Sequence, residues 1–236
     1  MRIILAATLA IAPMAIAPLL AKGNDSVKRL NETAVVFSEI MATPDKGIPE
    51  DLLARAHCIV IVPSEKNAAF LVGAKYGKGY VSCRRHGGWS APGTVIIEGG
   101  SFGFQIGGST TDVIMLVMNQ GGEDKLLSSK FTLGADASIA GGPVGRTAEA
   151  QTDLQMHAEI LSWSRSQGLF AGVALEGATL RQDLNDNAQM YGRKLDNREI
   201  LTTSVRSPRS AARLIAELNM HPARREHASA STGGSR

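Results

Sequence analysis

The chain has 236 residues, of which 44% are hydrophobic and 20% charged, a balance typical of a globular protein with a sizeable core. Its length is short for two domains of ordinary size. The formal net charge is +3, and the positive excess lies after residue 192, where nine bases face four acids. A basic tail of this kind can contact nucleic acid or anionic lipid, but more often it is merely solvated.

The N-terminal stretch is typical of an export signal. Arg2 supplies a short positive start, residues 3–20 are apolar and uncharged, and Ala21 stands at the predicted cleavage position. Pro13 and Pro18 weaken the stretch as a membrane-spanning helix. We therefore expect a periplasmic or secreted protein. The alternative is a protein anchored in the inner membrane through an uncleaved signal. Nucleic acid is not an expected partner of an exported chain.

Two helices are predicted before the first strand. A capping cluster at residues 24–26 precedes a run of apolar residues at helical spacing, and Thr43 and Pro44 end the pattern. Pro49 stands where a first helical turn tolerates proline, so a short helix is predicted to follow it through Ala56.

A β-rich region follows. Residues 58–62 are a compact β-branched run that Pro63 closes, and residues 69–76 and 79–84 flank Gly77-Lys78, which predicts a tight hairpin. The other predicted elements are strands at 94–108 and 111–119, a helix at 122–127, strand at 131–144, a hairpin of 160–163 with 169–177, a helix at 180–191 and a helix after Ser207-Pro208.

Cys58 and Cys83 are the only cysteines. An even pair in an exported protein suggests a disulfide. The predicted hairpin pairs Val72 with Cys83, which directs Cys83 toward the core face that Cys58 shares with Val60. Two buried free thiols are the open alternative.

The same predicted register turns basic side chains outward. No acid occurs between Glu65 and Glu98, and Tyr76, Tyr80 and Trp89 interleave with the bases. Basic side chains with interfacial aromatics suit anionic phospholipid headgroups. The candidate lipid-binding residues are Lys75, Lys78, Arg84 and Arg85 on the hairpin, with Arg206, Arg209 and Arg213 on the C-terminal helix. The alternative is an ordinary solvated hairpin face.

The sequence contains parts of two catalytic motifs, and both motifs are incomplete. Ser101 lies in a G-x-S-x-G pattern, but the residues after it continue as strand, whereas a nucleophile elbow requires a helix there. His157 and Glu159 resemble the start of a zinc deaminase site that lacks its paired cysteines. The histidines show no ligand spacing. We therefore expect no enzyme, cofactor or metal site.

Residues 56–192 closely resemble the SYLF domain family. The matching stretches are residues 58–63, 72–79, 88–92, 101–108, 111–119, 133–146 and 162–173, with Asp183, Asn187, Tyr191 and Gly192 closing the domain.

The resemblance implies a non-catalytic domain that binds membrane lipids: anionic phospholipids, or phosphoinositides as in eukaryotic adaptors. Actin as a partner follows from the resemblance alone. A cell-envelope structural or interaction module, binding a protein through the glycine-rich face of Gly99, Gly103 and Gly107, is the second hypothesis. An enzyme of unrecognised chemistry is the third.

The expected fold is α+β: a single β-rich domain of antiparallel hairpins with flanking N-terminal and C-terminal helices. The expected segments are an export signal at residues 1–21, a helical segment at 22–55, the SYLF domain at 56–192, and a basic C-terminal helix with a disordered tail at 193–236.

Overall fold

The computed structural model describes residues 17–43, 47–70, 72–102, 107–144, 155, 157–166, 169–173 and 175–223. Its helices are α1 (Ala17–Met41), α2 (Glu50–Arg55), α3 (Gln120–Leu126), α4 (Leu184–Tyr191), α5 (Asn197–Thr202) and α6 (Ala212–Asn219), with a 3-10 turn (Arg209–Ala211) before α6. Its strands are β1 (Cys58–Phe70), β2 (Val72–Arg85), β3 (Gly88–Trp89), β4 (Gly93–Phe102), β5 (Gly107–Val117), β6 (Lys130–Thr132), β7 (Ile139–Gly141), β8 (Ile160–Ser166), β9 (Leu169–Gly172) and β10 (Thr179–Gln182).

The strands form one curled sheet in the order β6-β10-β4-β2-β1-β5-β8-β7. Strand β3 pairs with β2, and β9 pairs with β8. The pairing is antiparallel except between β7 and β8, which run parallel. The predicted α+β class, with a mostly antiparallel sheet and helices at both ends, is confirmed.

Both faces of the central strands are buried. Along β1, Ile59 and Ile61 belong to one apolar cluster, whereas Val60 and Val62 belong to the cluster on the opposite face. Alternate side chains of a strand point to opposite faces, so each face of β1 requires its own covering layer.

A layer of helices covers the first face. Buried residues of α1, among them Phe37 and Ile40, pack with residues of α2 and α6 over the sheet. Two aromatic residues of the sheet form hydrogen bonds to this layer. The Tyr80 hydroxyl donates to the carbonyl of Ser26 at 2.9 Å, and Trp89 Nε1 donates to the carbonyl of Leu218 at 2.9 Å. The opposite face is covered by α3 and by the chain around β6 and β10.

The predicted hairpin at Gly77-Lys78 is wrong. Strand β2 passes through both residues without a turn, and the chain reverses instead between Phe70 and Val72. Gly77 and Gly79 instead allow the backbone of β1 to lie close to β2. A Cβ on Gly79 would lie 2.1 Å from the carbonyl oxygen of Ile61, and one on Gly77 would lie 2.6 Å from the Val62 side chain. In a strand, glycine marks such a close contact as well as a turn.

A β-bulge in β1 produces this close approach. The register with β2 shifts between Ile61 and Lys66, and the register with β5 shifts between Val62 and Glu65. Ser64 has a positive φ of 55°, and its backbone N–H donates to Asp112 Oδ1 at 2.9 Å. The predicted strand end at Pro63 is therefore a bulge within one long strand.

Other predicted elements differ mainly at their bounds. The helix around residues 122–127, the hairpin of β8 with β9, and the final helix are confirmed. Helix α1 begins at Ala17, ahead of the predicted cap, and residues 179–182 form β10 rather than the first turn of a helix. The predicted strand at 94–108 is divided between β4 and β5. Gly103 and the tail after residue 223 lie outside the described residues.

No helix in the described part of the chain is long and apolar enough to cross a membrane.

Cys58 and Cys83 lie directly opposite each other on β1 and β2. Their sulfur atoms are joined at 2.06 Å, and both residues are fully buried. The predicted disulfide is therefore present although the predicted register, which paired Cys83 with Val72, is wrong, because the observed register pairs Cys83 directly with Cys58.

We predict that the natively folded protein contains this disulfide. The bond closes a separation of 25 residues, for which the chain-entropy model gives a stabilisation of about 3 kcal/mol. Replacing both cysteines with alanine should therefore lower the free energy of unfolding by about that amount. Peptide mapping without reductant checks the bond itself, and two alkylatable thiols in natively folded protein would contradict it.

Candidate functional site

The structure places six of the seven predicted lipid-binding residues in two groups of three, and Lys75 belongs to neither group. Lys78, Arg84 and Arg85 contact carboxylates, carbonyls or an aromatic ring of the chain itself. Arg206, Arg209 and Arg213 are exposed. Lys75 is half-buried, and its positive charge acts on the buried Glu65.

Lys78 is the centre of a polar cluster between β2, α4 and α1. Its ammonium group donates to Asp183 Oδ2 at 2.5 Å and to Asp186 Oδ2 at 3.1 Å. Arg29 of α1 donates to the same Asp186 oxygen at 3.0 Å. Both aspartates are buried, and the Lys78 side chain is 27% exposed. The cluster therefore joins a strand to helices on its covered face.

The contact between Lys78 and Asp183 shifts the pKa values of these two residues in opposite directions. Burial alone would lower the pKa of Lys78, but hydrogen bonds to Asp183 and Asp186 and their negative charges outweigh it, so the pKa is raised. Burial alone would raise the pKa of Asp183, but the hydrogen bond from Lys78 outweighs it, so the pKa is lowered. Each group favours the charged form of the other.

Arg84 is held by the protein as well. Its guanidinium carbon lies 4.2 Å from the ring centroid of Trp89, a cation–π contact. Its Nη2 donates to the carbonyl oxygens of Leu53 at 2.9 Å and His221 at 3.1 Å. Burial lowers the pKa of Arg84 below its ordinary value. The residue thus links α2 to the end of the C-terminal helix.

Arg85 forms an ion pair with a buried acid. Its Nη1 and Nη2 atoms both donate to Glu123 Oε1 at 3.2 Å, and its Nε donates to the carbonyl of Leu201 at 2.5 Å. The other oxygen of Glu123 lies 3.0 Å from Nδ1 of His57. The guanidinium therefore has partners on α3 and α5.

The prediction that Lys75, Lys78 and Arg84 line an outer hairpin face is wrong for Lys78 and Arg84. Lys78 and Arg84 lie where the sheet is covered, so their charged groups meet protein rather than solvent. Reversing the charge of Lys78 or Arg84 would therefore change stability as well as any binding.

We define the C-terminal basic surface as Arg206, Arg209 and Arg213. Unlike Lys78 and Arg84, these residues have no hydrogen-bond or ion-pair partners within the described part of the protein. All three are exposed. Arg209 and Arg213 are four positions apart on continuous helical turns and so share one side. Leu214 and Leu218 are buried and hold this segment against the protein.

The residues that close the family pattern are structural. Asn187 is fully buried, accepts from the N–H and hydroxyl of Thr94 at 2.9 and 2.7 Å, and donates to Asn197 Oδ1 at 2.8 Å. Asp183 caps α4 by accepting from the N–H of Asp186. The network fixes α4 and α5 to strand β4, with every named polar group satisfied by a partner.

Sequence reasoning missed Glu123, Asp183 and Asp186 as partners of the basic residues. Asp183 was among the residues that carry the family resemblance, but it lies 105 positions from Lys78. No local pattern indicates a contact at that separation. Ser101 lies within strand β4, in agreement with the rejection of a nucleophile elbow.

Comparison with known proteins gives the family. A sequence model of the Ysc84 family, described as Las17-binding protein actin regulator, matches residues 98–221. The chain belongs to the Ysc84 family, whose shared unit is the SYLF domain. The description of this family is that of a binding protein, and it is not a known enzyme family.

Similar proteins include SH3 domain-containing YSC84-like protein 1 of Homo sapiens, which is 36% identical over 187 residues, covering 78% of this chain and 54% of that protein. The protein of the same name from Rattus norvegicus is 36% identical, with coverages of 78% and 55%. LAS seventeen-binding protein 3 of Saccharomyces cerevisiae is 34% identical over 171 residues, covering 70% and 36%. The chain spans about half the length of the vertebrate relatives it matches.

Replacing Lys78 with Met should lower the free energy of unfolding at neutral pH by about 3 kcal/mol, because two buried carboxylates lose a cation. The lowered pKa of Asp183 contributes stability that is present above its unfolded value near 4 and is lost as the pH falls through the folded value. The raised pKa of Lys78 contributes stability that is present below about 10 and is lost as the pH rises through the folded value.

Urea denaturation of both proteins as a function of pH measures this effect. The difference between wild type and variant should be greatest between about pH 5 and pH 9 and should shrink below about pH 4, as the Asp183 carboxylate becomes protonated. Lys130→Met, at an exposed lysine, is the matched control and should change little. A difference that stays constant into acid would contradict the ion-pair account.

Proposed function

We propose that this chain is an exported, non-catalytic protein that binds membrane surfaces rich in anionic phospholipid, and that the C-terminal basic surface makes the contact. The observation that carries the proposal is the contrast between the two groups of cations. Lys78, Arg84 and Arg85 of β2 have partners within the fold, whereas Arg206, Arg209 and Arg213 are exposed and unpaired among the described residues.

The composition of this segment supports a membrane contact. Between residues 204 and 223, Glu217 is the only acid. Met220, seven positions after Arg213 and hence on the same side of the helix, is 64% exposed. An apolar side chain beside exposed bases suits the boundary between headgroups and acyl chains. Each base near an anionic surface contributes about 1 kcal/mol, so three would raise binding by about 100-fold.

A vesicle co-sedimentation assay on the mature chain tests this proposal. Wild-type protein should sediment with vesicles containing phosphatidylserine and not with phosphatidylcholine alone, and added salt should weaken the binding. The triple variant Arg206→Glu, Arg209→Glu, Arg213→Glu should lose the binding and keep its melting temperature, because these side chains are exposed.

A second triple variant with the same change in net charge is the control. Lys125, Lys130 and Lys194 are exposed elsewhere on the protein, and their replacement by Glu should leave most of the binding. Equal loss in both variants would mean that net charge rather than this surface governs binding. Wild-type binding by the arginine variant would overturn the proposal. Vesicles with phosphoinositides show whether that headgroup is preferred.

A protein partner is the second candidate function. The yeast relative is named for binding LAS seventeen, and the family is described as an actin regulator. The same basic surface suits an acidic polypeptide. Binding of such a partner without any binding to anionic vesicles would favour this function, in the cell envelope or in contact with actin.

A further inference from the structure

Side chains of metal-ligand type converge at one end of strands β1 and β2. Cys58 and Cys83 are cross-strand neighbours, and Glu123 reaches them from α3. The two sulfur atoms and a carboxylate oxygen of Glu123 all lie within 4.8 Å of one another, and all three residues are buried. His57, the residue before β1, places Nδ1 3.0 Å from Glu123 Oε2.

This set of donors matches the preference of one class of ion. Two thiolates and a carboxylate are ligands that Zn²⁺ binds, and the His57 imidazole stands beside the carboxylate as a supporting group. The ligands come from three separate elements, so the sequence shows no ligand spacing, which explains why no metal site was expected from it. Clusters of exposed carboxylates are common on protein surfaces that bind no ion. The cluster here differs from them, because its carboxylate is buried and lies beside two sulfur atoms.

Groups around the cluster support and balance such a site. Arg85 donates two hydrogen bonds to Glu123 Oε1, which leaves Oε2 directed at His57. The backbone of His57 is fixed on both sides, because its N–H donates to the carbonyl of Val117 and its carbonyl accepts from the N–H of Arg84. Two thiolates and one carboxylate are balanced by a divalent ion and the guanidinium. Supporting contacts of this kind orient metal ligands and tune affinity.

The cluster also has a route to solvent. A cleft of about 760 Å³ is lined by residues that include His57, Arg84 and Glu123. His57 is 37% exposed, whereas Glu123 is 9% exposed, so the histidine lies at the solvent side and the sulfur atoms lie beneath. An ion can thus enter beside the imidazole.

We propose that reduction of the Cys58–Cys83 disulfide converts this cluster into a binding site for a zinc-type divalent cation, held by both thiolates and Glu123, with His57 supporting the Glu123 carboxylate. A dithiol reductant supplies two electrons to the S–S bond, which gives two thiols and the cyclic disulfide of the reductant. Binding of the metal then releases the two thiol protons to solvent. The same residues would hold a covalent bond when oxidised and a metal ion when reduced.

Cobalt(II) is the probe for the test. The full chain is reduced with dithiothreitol, freed of reductant without oxygen, and titrated with Co²⁺. We expect one equivalent to produce a thiolate-to-cobalt charge-transfer band and the strong visible bands of tetrahedral Co²⁺, and Zn²⁺ should remove both. Protein that keeps its disulfide should show neither.

Variants separate the complete site from two reactive thiols. Glu123→Gln should weaken Co²⁺ binding by about 10- to 100-fold, and His57→Ala should do the same. Asp124→Asn, at an exposed acid next along the same helix, should bind as wild type does. Wild-type affinity in Glu123→Gln would overturn the proposal, because the thiolates would then bind the metal without the carboxylate.

Circular dichroism accompanies each titration. If the reduced chain is folded and shows no charge-transfer band, the proposal is wrong. If reduction unfolds the chain, restoration of the fold by one equivalent of Zn²⁺ supports the site, and failure of Zn²⁺ to restore it overturns the proposal.

Discussion

Burial of the central strands on both faces is the constraint on which the rest of the structure depends. Strand β1 sends Ile59 and Ile61 into the core beneath the helices and Val60 and Val62 into the core on the other side. Neither face of β1 meets solvent at residues 58–62, so a polar side chain buried beside this stretch requires a partner. Lys78 and Arg85 obtain theirs from α4 and α3, and these ion pairs join the covering elements to the sheet.

The same constraint explains what the sequence could predict. The apolar period of α1, the β-branched run of β1 and the Ser207-Pro208 start of the last helix are local signals, and they indicated the fold class and most elements. The turn at Gly77-Lys78 was wrong because glycine in a strand permits either a turn or a close approach, and only the bulge around Ser64 distinguishes them. Partners such as Asp183, far away in sequence, leave no local signal.

The proposed function depends on which basic side chains have partners within the protein and which remain exposed. The acid-free stretch of β2 resembles a binding surface in the sequence, but in the folded protein its bases hold secondary-structure elements together. Membership of the Ysc84 family agrees with a binding role, and Asp183 and Asn187, which carry part of the resemblance, maintain the framework on which any binding surface depends. The arginines after residue 205 are the members of the predicted set that the fold leaves available.

Chemical modification of lysine amines tests most directly whether the cations of β2 serve the fold. Native protein is treated with a limiting amount of an amine-acetylating reagent, and the rate at each lysine is followed by peptide mass spectrometry. Because Lys78 lies between Asp183 and Asp186 and is 27% exposed, it should react much more slowly than the exposed Lys130 and Lys194. The difference should disappear in urea. Equal rates in the native protein would show that Lys78 is free in solution and would contradict the account.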